Sequence, residues 1–201
     1  MSRPSKEGRL FFIYITMKPI KHTPHITTIG NFWTADTCDA FIRKSEAIGY
    51  EPAMVQTDRG QRRVESVRNN QRIIFTDKEL ADEIWTQLKE HITVQFGNSE
   101  AVGLNEMFRF YKYEPGQEFK RHRDQSYIRN EIEASFFTCM IYLNDDFEGG
   151  ETTFSDLVIA PKKGMCLLFF HDLEHEGVKL SKGEKYVLRT DIMYRLKPSE
   201  R

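Results

Sequence analysis

Cysteine is scarce in this chain. Three thiols stand in 201 residues (Cys38, Cys139 and Cys166), with no CxxC pair and an odd total. That count and spacing argue against a disulfide framework and point to reduced thiols in a cytoplasmic protein. No run approaches the ~20 apolar residues of a membrane span. The apolar stretch 10–17 is short and has no small-residue cleavage site of the secretory kind. An excess of one charge is missing as well: 29 Lys and Arg stand against 30 Asp and Glu, spread along the chain. No nucleic-acid partner is therefore expected, because such partners are held mainly by phosphate neutralisation. Low-complexity segments, internal repeats and linkers are also absent, and the length suits a single domain. Residues 1–16 read as an N-terminal extension, with Met17 as an alternative start, and 17–201 as the one domain.

Phenylalanine is plentiful, with 15 copies, which suits a core of stacked strands. Two helical patterns occupy the first half. Thr34 or Asp36 caps a helix whose apolar stripe is Cys38, Phe41, Ile42 and Ile48, stopped by Gly49. Thr76 and Glu79 form the capping box of a second helix. Its stripe is Leu80, Ile84, Leu88 and Ile92, and Gly97 ends it. From about Asn105 the period falls to two, that of strands. Phe108 and Phe110 alternate with Arg109 and Tyr111; Phe137, Cys139, Ile141 and Leu143 alternate with Thr138, Met140 and Tyr142. Residues 164–170 are continuously apolar, and 185–195 alternate again. The expected fold is mainly β with flanking helices (α+β), an antiparallel sandwich or barrel with helices outside it. Its helical part covers 30–100 and its β core 105–195.

His122 and Asp124 stand at i and i+2, which on a strand points both to one face and lets them share an ion. Alone the pair is a common accident. It needs a third ligand, for which the strand-rich half offers His171 and His175. Two histidines and a carboxylate on one face of an octahedron are the ligand set of non-haem Fe(II) oxygenases and leave three positions open. A dicarboxylate bound there needs a cation at its far end, in a mostly apolar pocket. Lys185 and Arg189 share a face of the last strand and are both available. Tyr142 is a candidate donor to the same carboxylate. Arg121 and Arg123 flank His122, either facing solvent or touching an anionic substrate. The polar stretch 62–72, with Arg63, Arg68, Asn69, Asn70 and Arg72, reads as a solvated loop or as the border of the entrance.

Four ordered blocks then carry a resemblance. Phe110 to Phe119, with Pro115-Gly116 inside it, runs into Arg121-His122-Arg123-Asp124. Thr138 to Asn144 is followed by Glu148-Gly149-Gly150-Glu151-Thr152. Pro161-x-x-Gly164 leads through Leu168-Phe169-Phe170 to His175-Glu176-Gly177, and Gly183-x-Lys185 closes the series. Together they resemble the Fe(II)- and 2-oxoglutarate-dependent dioxygenase domain of prolyl 4-hydroxylase type, over roughly 105–195. The resemblance implies a double-stranded β-helix (jelly-roll) barrel, with iron held by His122, Asp124 and His175. It makes Lys185 the anchor of the distal 2-oxoglutarate carboxylate, Tyr142 its helper and Tyr113 a pocket tyrosine. Arg189, on the same strand face as Lys185, departs from the family pattern and is placed to share or take over the anchor. His171 lacks the His-x-Gly context. Fe(II), 2-oxoglutarate and dioxygen are the implied partners and ascorbate the implied reductant. The reaction would be C–H hydroxylation of an unidentified peptide or small molecule, with release of succinate and carbon dioxide. Two alternatives stand beside it: a cupin-like metal enzyme that needs no keto acid, and a non-catalytic module that binds metal or peptide.

Overall fold

The computed structural model describes residues 16–57, 60–62, 64 and 68–198; Arg63 and most of the stretch 10–17 lie outside them. Its main body is a large antiparallel sheet. Across it run the strands Lys18–Thr23, Ile26–Gly30, Cys166–Phe170, Glu133–Tyr142, Lys185–Leu196, Met107–Tyr113, Gln71–Thr76 and Glu51–Pro52, in that order. A four-stranded antiparallel sheet is built from Phe119–His122, His175–Gly177, Thr152–Thr153 and Val158–Ile159. Side chains of both sheets line one inner pocket. The barrel expected from the sequence is thus open: the sheets are separate hydrogen-bonded units with no closed ring.

The two-residue period sorts the large sheet's side chains into two cores. Phe108, Phe110, Phe137, Cys139, Ile141, Cys166, Leu168, Tyr186 and Leu188 pack with the helices. Their alternates Tyr111, Tyr113, Tyr142, Leu167, Phe169 and Val187 form a second cluster on the opposite face. One face is therefore supported by helices and the other is free to line a site.

Thr34 caps the helix Ala35–Ile48, accepting from the Thr37 backbone N–H at 3.2 Å, and Gly49 ends it. The second helix, Lys78–Leu88, departs from expectation at both ends. Its cap is Asp77, which accepts from the Leu80 N–H at 3.0 Å. Thr76 is still paired with Met107 in the sheet and is not free to cap. The helix closes through the short 3-10 turn Lys89–His91. Gly97 instead turns the chain between Gln95–Phe96 and Ser99–Leu104. The stretch 30–100 carries strands as well as helices, and Gln71–Thr76 extends the main sheet beside Met107–Tyr113.

Candidate metal centre and adjoining clefts

The strand Phe119–His122 pairs antiparallel with His175–Gly177, and His122 falls directly opposite His175. Strand register alone brings the two rings to a centroid distance of 4.3 Å. Asp124 follows the strand's end. Its backbone N–H donates to the His171 carbonyl at 3.0 Å, which fixes the turn that points its carboxylate back at the histidines. The expectation that one strand carries both His122 and Asp124 is corrected accordingly. Among the described residues these three are the group whose ligand atoms lie together, all within 4.8 Å of one another. The His122 Nε2 stands 3.7 Å from Asp124 Oδ1, and the His175 Nε2 3.8 Å from Oδ2.

The surroundings suit a cation. Nδ1 of His122 donates to the Lys120 carbonyl at 2.7 Å, and Nδ1 of His175 to that of Leu173 at 2.9 Å. Each ring is thereby held in the tautomer whose Nε2 carries a lone pair, and both lone pairs belong to the cluster. Burial pushes the His175 imidazole down to about 4, against the pull of Asp124, so the ring stays neutral. Phe119 stacks on His122 at 3.5 Å, and Phe169 meets His175 edge-on at 4.5 Å. Asp124 accepts from Thr138 Oγ1 at 2.6 Å and from Arg189 Nη1 at 2.8 Å. Burial opposes its charge, but Arg189, His122, His175 and Thr138 hold the carboxyl well below the usual carboxylate range. Two imidazoles that each turn Nε2 towards an ionised carboxylate are a donor set that fits Fe(II).

His171 stands apart. Its Nε2 is 3.6 Å from Asp191, both ring nitrogens are buried without a hydrogen-bond partner, and its carbonyl serves Asp124.

An inner pocket, about 430 Å³ counting the open solvent at its mouth, opens from the triad and is lined also by Tyr113, Thr152, Phe169 and Lys185. Lys185 is 4% exposed and donates to the Gly150 carbonyl at 2.6 Å. Its ammonium also lies over the rings of Tyr113 and Tyr142, at 5.2 and 5.4 Å. Burial lowers it to about 8, opposed by Glu151. Gly150 permits this approach. At φ 70°, a Cβ there would press on Leu180 at 3.0 Å and on Lys185 Cδ at 3.2 Å. Tyr142 is reached only indirectly, its hydroxyl lying 2.7 Å from Thr152 Oγ1. Arg189 lines the pocket too; its Nη1 and Nη2 are engaged by Asp124 and by Asp191 at 3.1 Å, while its buried Nε has no partner among the described residues. Asp191 is shared with Arg109 at 3.2 Å.

On the other side of the triad an outer cleft of about 1080 Å³, counting its open mouth, is lined by Arg68, Arg72, Arg109, Arg123 and Arg189. Arg121 turns away, towards Glu174 and Glu176. Thr138, Arg109 and Asp191 were not singled out by the sequence. Alternation put Thr138 on the same face as Tyr142, but nothing local marked it as a partner of Asp124.

This architecture, two sheets around a two-histidine, one-carboxylate cluster, is that of the double-stranded β-helix fold. Residues 108–190 match the model of the 2OG-Fe(II) oxygenase superfamily. The chain is 22% identical over 205 residues to Prolyl 4-hydroxylase 2 of Arabidopsis thaliana, covering 85% of this chain and 67% of that one. To a candidate prolyl 4-hydroxylase of Acanthamoeba polyphaga mimivirus it is 25% identical over 143 residues, covering 61% of this chain and 57% of that one. The chain thus spans between about half and two thirds of the curated relatives it matches. Among solved structures, a Pseudomonas putida prolyl-4-hydroxylase superposes with a TM-score of 0.61 at 18% identity, covering 87% of this chain and 94% of that one. A viral collagen prolyl hydroxylase from Paramecium Bursaria Chlorella virus-1, solved as a 2OG complex, gives 0.59 at 20%, covering 85% and 96%. Residues 108–190 are thus similar to the 2OG-Fe(II) oxygenases, and the chain around them is similar in sequence and fold to prolyl 4-hydroxylases. Among the described residues no helix is long and apolar enough to cross a membrane.

Proposed function

We propose that the chain is a hydroxylase in which His122, Asp124 and His175 hold Fe(II) and Lys185 binds the distal carboxylate of 2-oxoglutarate. One observation carries the reading: the clustered ligand atoms share a pocket with a buried ammonium that no carboxylate pairs with among the described residues. When bound, iron with 2-oxoglutarate and dioxygen supplies an oxidative decarboxylation to succinate and carbon dioxide, coupled to oxygen insertion into a C–H bond. The protein's residues bind, orient and exclude water. The backbone carbonyls of Lys120 and Leu173 fix the histidine tautomers, and Arg189 with Thr138 braces Asp124. Lys185 meets the dicarboxylate's far end in a pocket walled by Tyr113, Phe169 and Val187. Tyr142 acts through Thr152, steadying that wall. A keto-acid-independent enzyme or a mere binding module leaves Lys185 buried without a role.

Ascorbate is assigned as reductant from the resemblance alone. A cytoplasmic, reducing setting is favoured by the three free, buried cysteines, with the Sγ atoms of Cys139 and Cys166 3.6 Å apart. The substrate is a peptide or small molecule carrying an unactivated C–H. Anaerobic Fe(II) with 2-oxoglutarate is expected to give a weak visible charge-transfer band, and admission of oxygen to release succinate. Folded protein that binds Fe(II) but gives neither signal with 2-oxoglutarate refutes the reading.

A further inference from the structure

The outer cleft carries more positive charge than its own acids neutralise. Arg109 and Arg189 are paired with Asp191 and Asp124, and Arg123 stands 3.7 Å from Asp172. Arg68 and Arg72 have no carboxylate partner among the described residues, although both line the cleft. Arg68 is 5% exposed, with Nε donating to Asn70 Oδ1 at 2.6 Å and Nη2 left without a partner. Its guanidinium is sandwiched by ring contacts with Tyr111 at 4.3 Å and Phe119 at 4.4 Å. Phe119 is the ring that stacks on His122, so this cation sits one aromatic ring from a proposed metal ligand. A buried, stacked guanidinium with free donors is a fixed receptor for a planar anion. Around it the cleft offers Met54, Ile74 and Met107, of which Met54 and Ile74 are 39% and 47% exposed. An apolar body fits that lining.

We infer that the outer cleft is a substrate subsite for a carboxylate, with Arg68 and Arg72 receiving the anion while an aliphatic part of the same molecule lies towards the triad. The inference rests on the hydroxylase reading above and names its substrate class: an apolar molecule or segment with a carboxylate close to the carbon that is oxidised. The carboxylate belongs either to a free small acid or to an acidic peptide side chain. The chemistry is the same, and the sources separate on testing. A polymeric phosphate is disfavoured, because the chain's formal net charge is -1 and its basic residues are spread rather than gathered.

The test uses the full chain with Fe(II) and 2-oxoglutarate under anaerobic conditions. Binding is measured by titration calorimetry and ligand-observed NMR. One pair of probes is 4-methylpentanoate and 4-methylpentanamide; the other is a capped Ala-Pro-Asp tripeptide amide and its Asn counterpart. In at least one pair the carboxylate is expected to bind about tenfold or more tighter than the amide, and the pair that discriminates identifies the source. Arg68→Gln and Arg72→Gln should each cut that preference below about threefold. If buried Arg68→Gln does not fold, Arg72→Gln decides. Equal affinity within both pairs overturns the inference. So does a preference that survives in the folded Arg variants, or tighter capture of a single-stranded oligonucleotide than of every carboxylate. Succinate release without any second substrate reports on the hydroxylase reading separately. Its loss with the carboxylate preference intact refutes that reading and leaves the anion subsite standing.

Discussion

Lys185→Met removes a buried ammonium while keeping the length of its stem, and it should move stability and co-substrate affinity in opposite directions. In the ligand-free protein this ammonium is 4% exposed and has the Gly150 carbonyl as its hydrogen-bond acceptor. Burial lowers its pKa from 10.5 to about 8, opposed by Glu151. At ~1.4 kcal/mol per pKa unit, that is roughly 3 kcal/mol against the charged form at neutral pH. Methionine removes the penalty but also the Gly150 hydrogen bond, worth about 1 kcal/mol. The net gain of about 2 kcal/mol corresponds to roughly 4–8 °C in melting temperature for a chain of this size. The sign also depends on pH. Between about 8 and 10.5 the unfolded chain binds more protons at this group than the folded one does. The penalty is therefore complete below about 8 and fades as pH rises towards 10.5, where only the lost Gly150 hydrogen bond remains and the variant should fall about 1 kcal/mol below the parent. Affinity for 2-oxoglutarate should meanwhile fall on the order of 100-fold, because the distal carboxylate is left buried without its cation. Thermal melts with Mn(II) at several pH values, with and without 2-oxoglutarate, read both effects, and succinate kinetics give the change in KM. A variant that melts lower than the parent and keeps its 2-oxoglutarate affinity would show Lys185 to be a structural residue, refuting the anchor.

His175→Ala is expected to abolish Mn(II) binding measured by electron paramagnetic resonance, while His171→Ala retains it; the reverse result would reassign the third ligand. Arg189→Met leaves Asp124 and Asp191 buried without their shared cation, and breaking such a network costs about 3–5 kcal/mol. Urea melts should register that loss together with weaker Mn(II) binding. Unchanged values in both would mean that Arg189 does not brace the ligand. An acid titration tests the same network. Against burial, Arg189, His171 and Arg109 hold Asp191 down to about 2 from an ordinary 3.8. A depressed acid stabilises above its unfolded pKa, here by about 2 kcal/mol, and that stability goes as pH falls from ~4 towards 2. Arg189→Met should flatten this acid arm, and a steeper arm in the variant would contradict the assignment.

Much of the scaffold could be read from the sequence because burial on the large sheet is strictly two-faced. Phe108 and Phe110, then Phe137, Cys139 and Ile141, fall on the helix-packed side, and Tyr111, Tyr113 and Tyr142 on the other. The small sheet offered no such signal. Thr152–Thr153 and His175–Gly177 are two and three residues long, too short to show a period, so the direct opposition of His122 and His175 could not be read from spacing. Thr76 was the wrong cap because sheet pairing with Met107 holds it, a competition invisible to a local motif. The partners of Arg189 were equally hidden, because nothing local reveals them. Asp124, 65 residues earlier, occupies one of its donors and Asp191 another.

The distribution of buried charge explains why both ligand readings point where they do. Within the site, Asp124, Asp191, Arg109 and Arg189 neutralise one another through contacts of 2.8–3.2 Å. That set is complete with the protein alone, and its work is to hold Asp124 still. Lys185 in the inner pocket and Arg68 at the outer cleft are equally buried, at 4% and 5% exposure, yet neither meets a carboxylate among the described residues. A buried cation without an anion is a standing cost to the fold. It is tolerated where binding restores the balance, and unpaired groups of this kind concentrate at functional sites. The two unpaired cations line different cavities that share Tyr111, Phe119, His122, Asp124 and Arg189. An anion bound at each would bring two molecules together at the triad, one reaching it from the Lys185 pocket and the other from the arginine cleft. Co-substrate and substrate have to meet in just this way at one metal, and the arrangement needs neither to pass through the other's pocket.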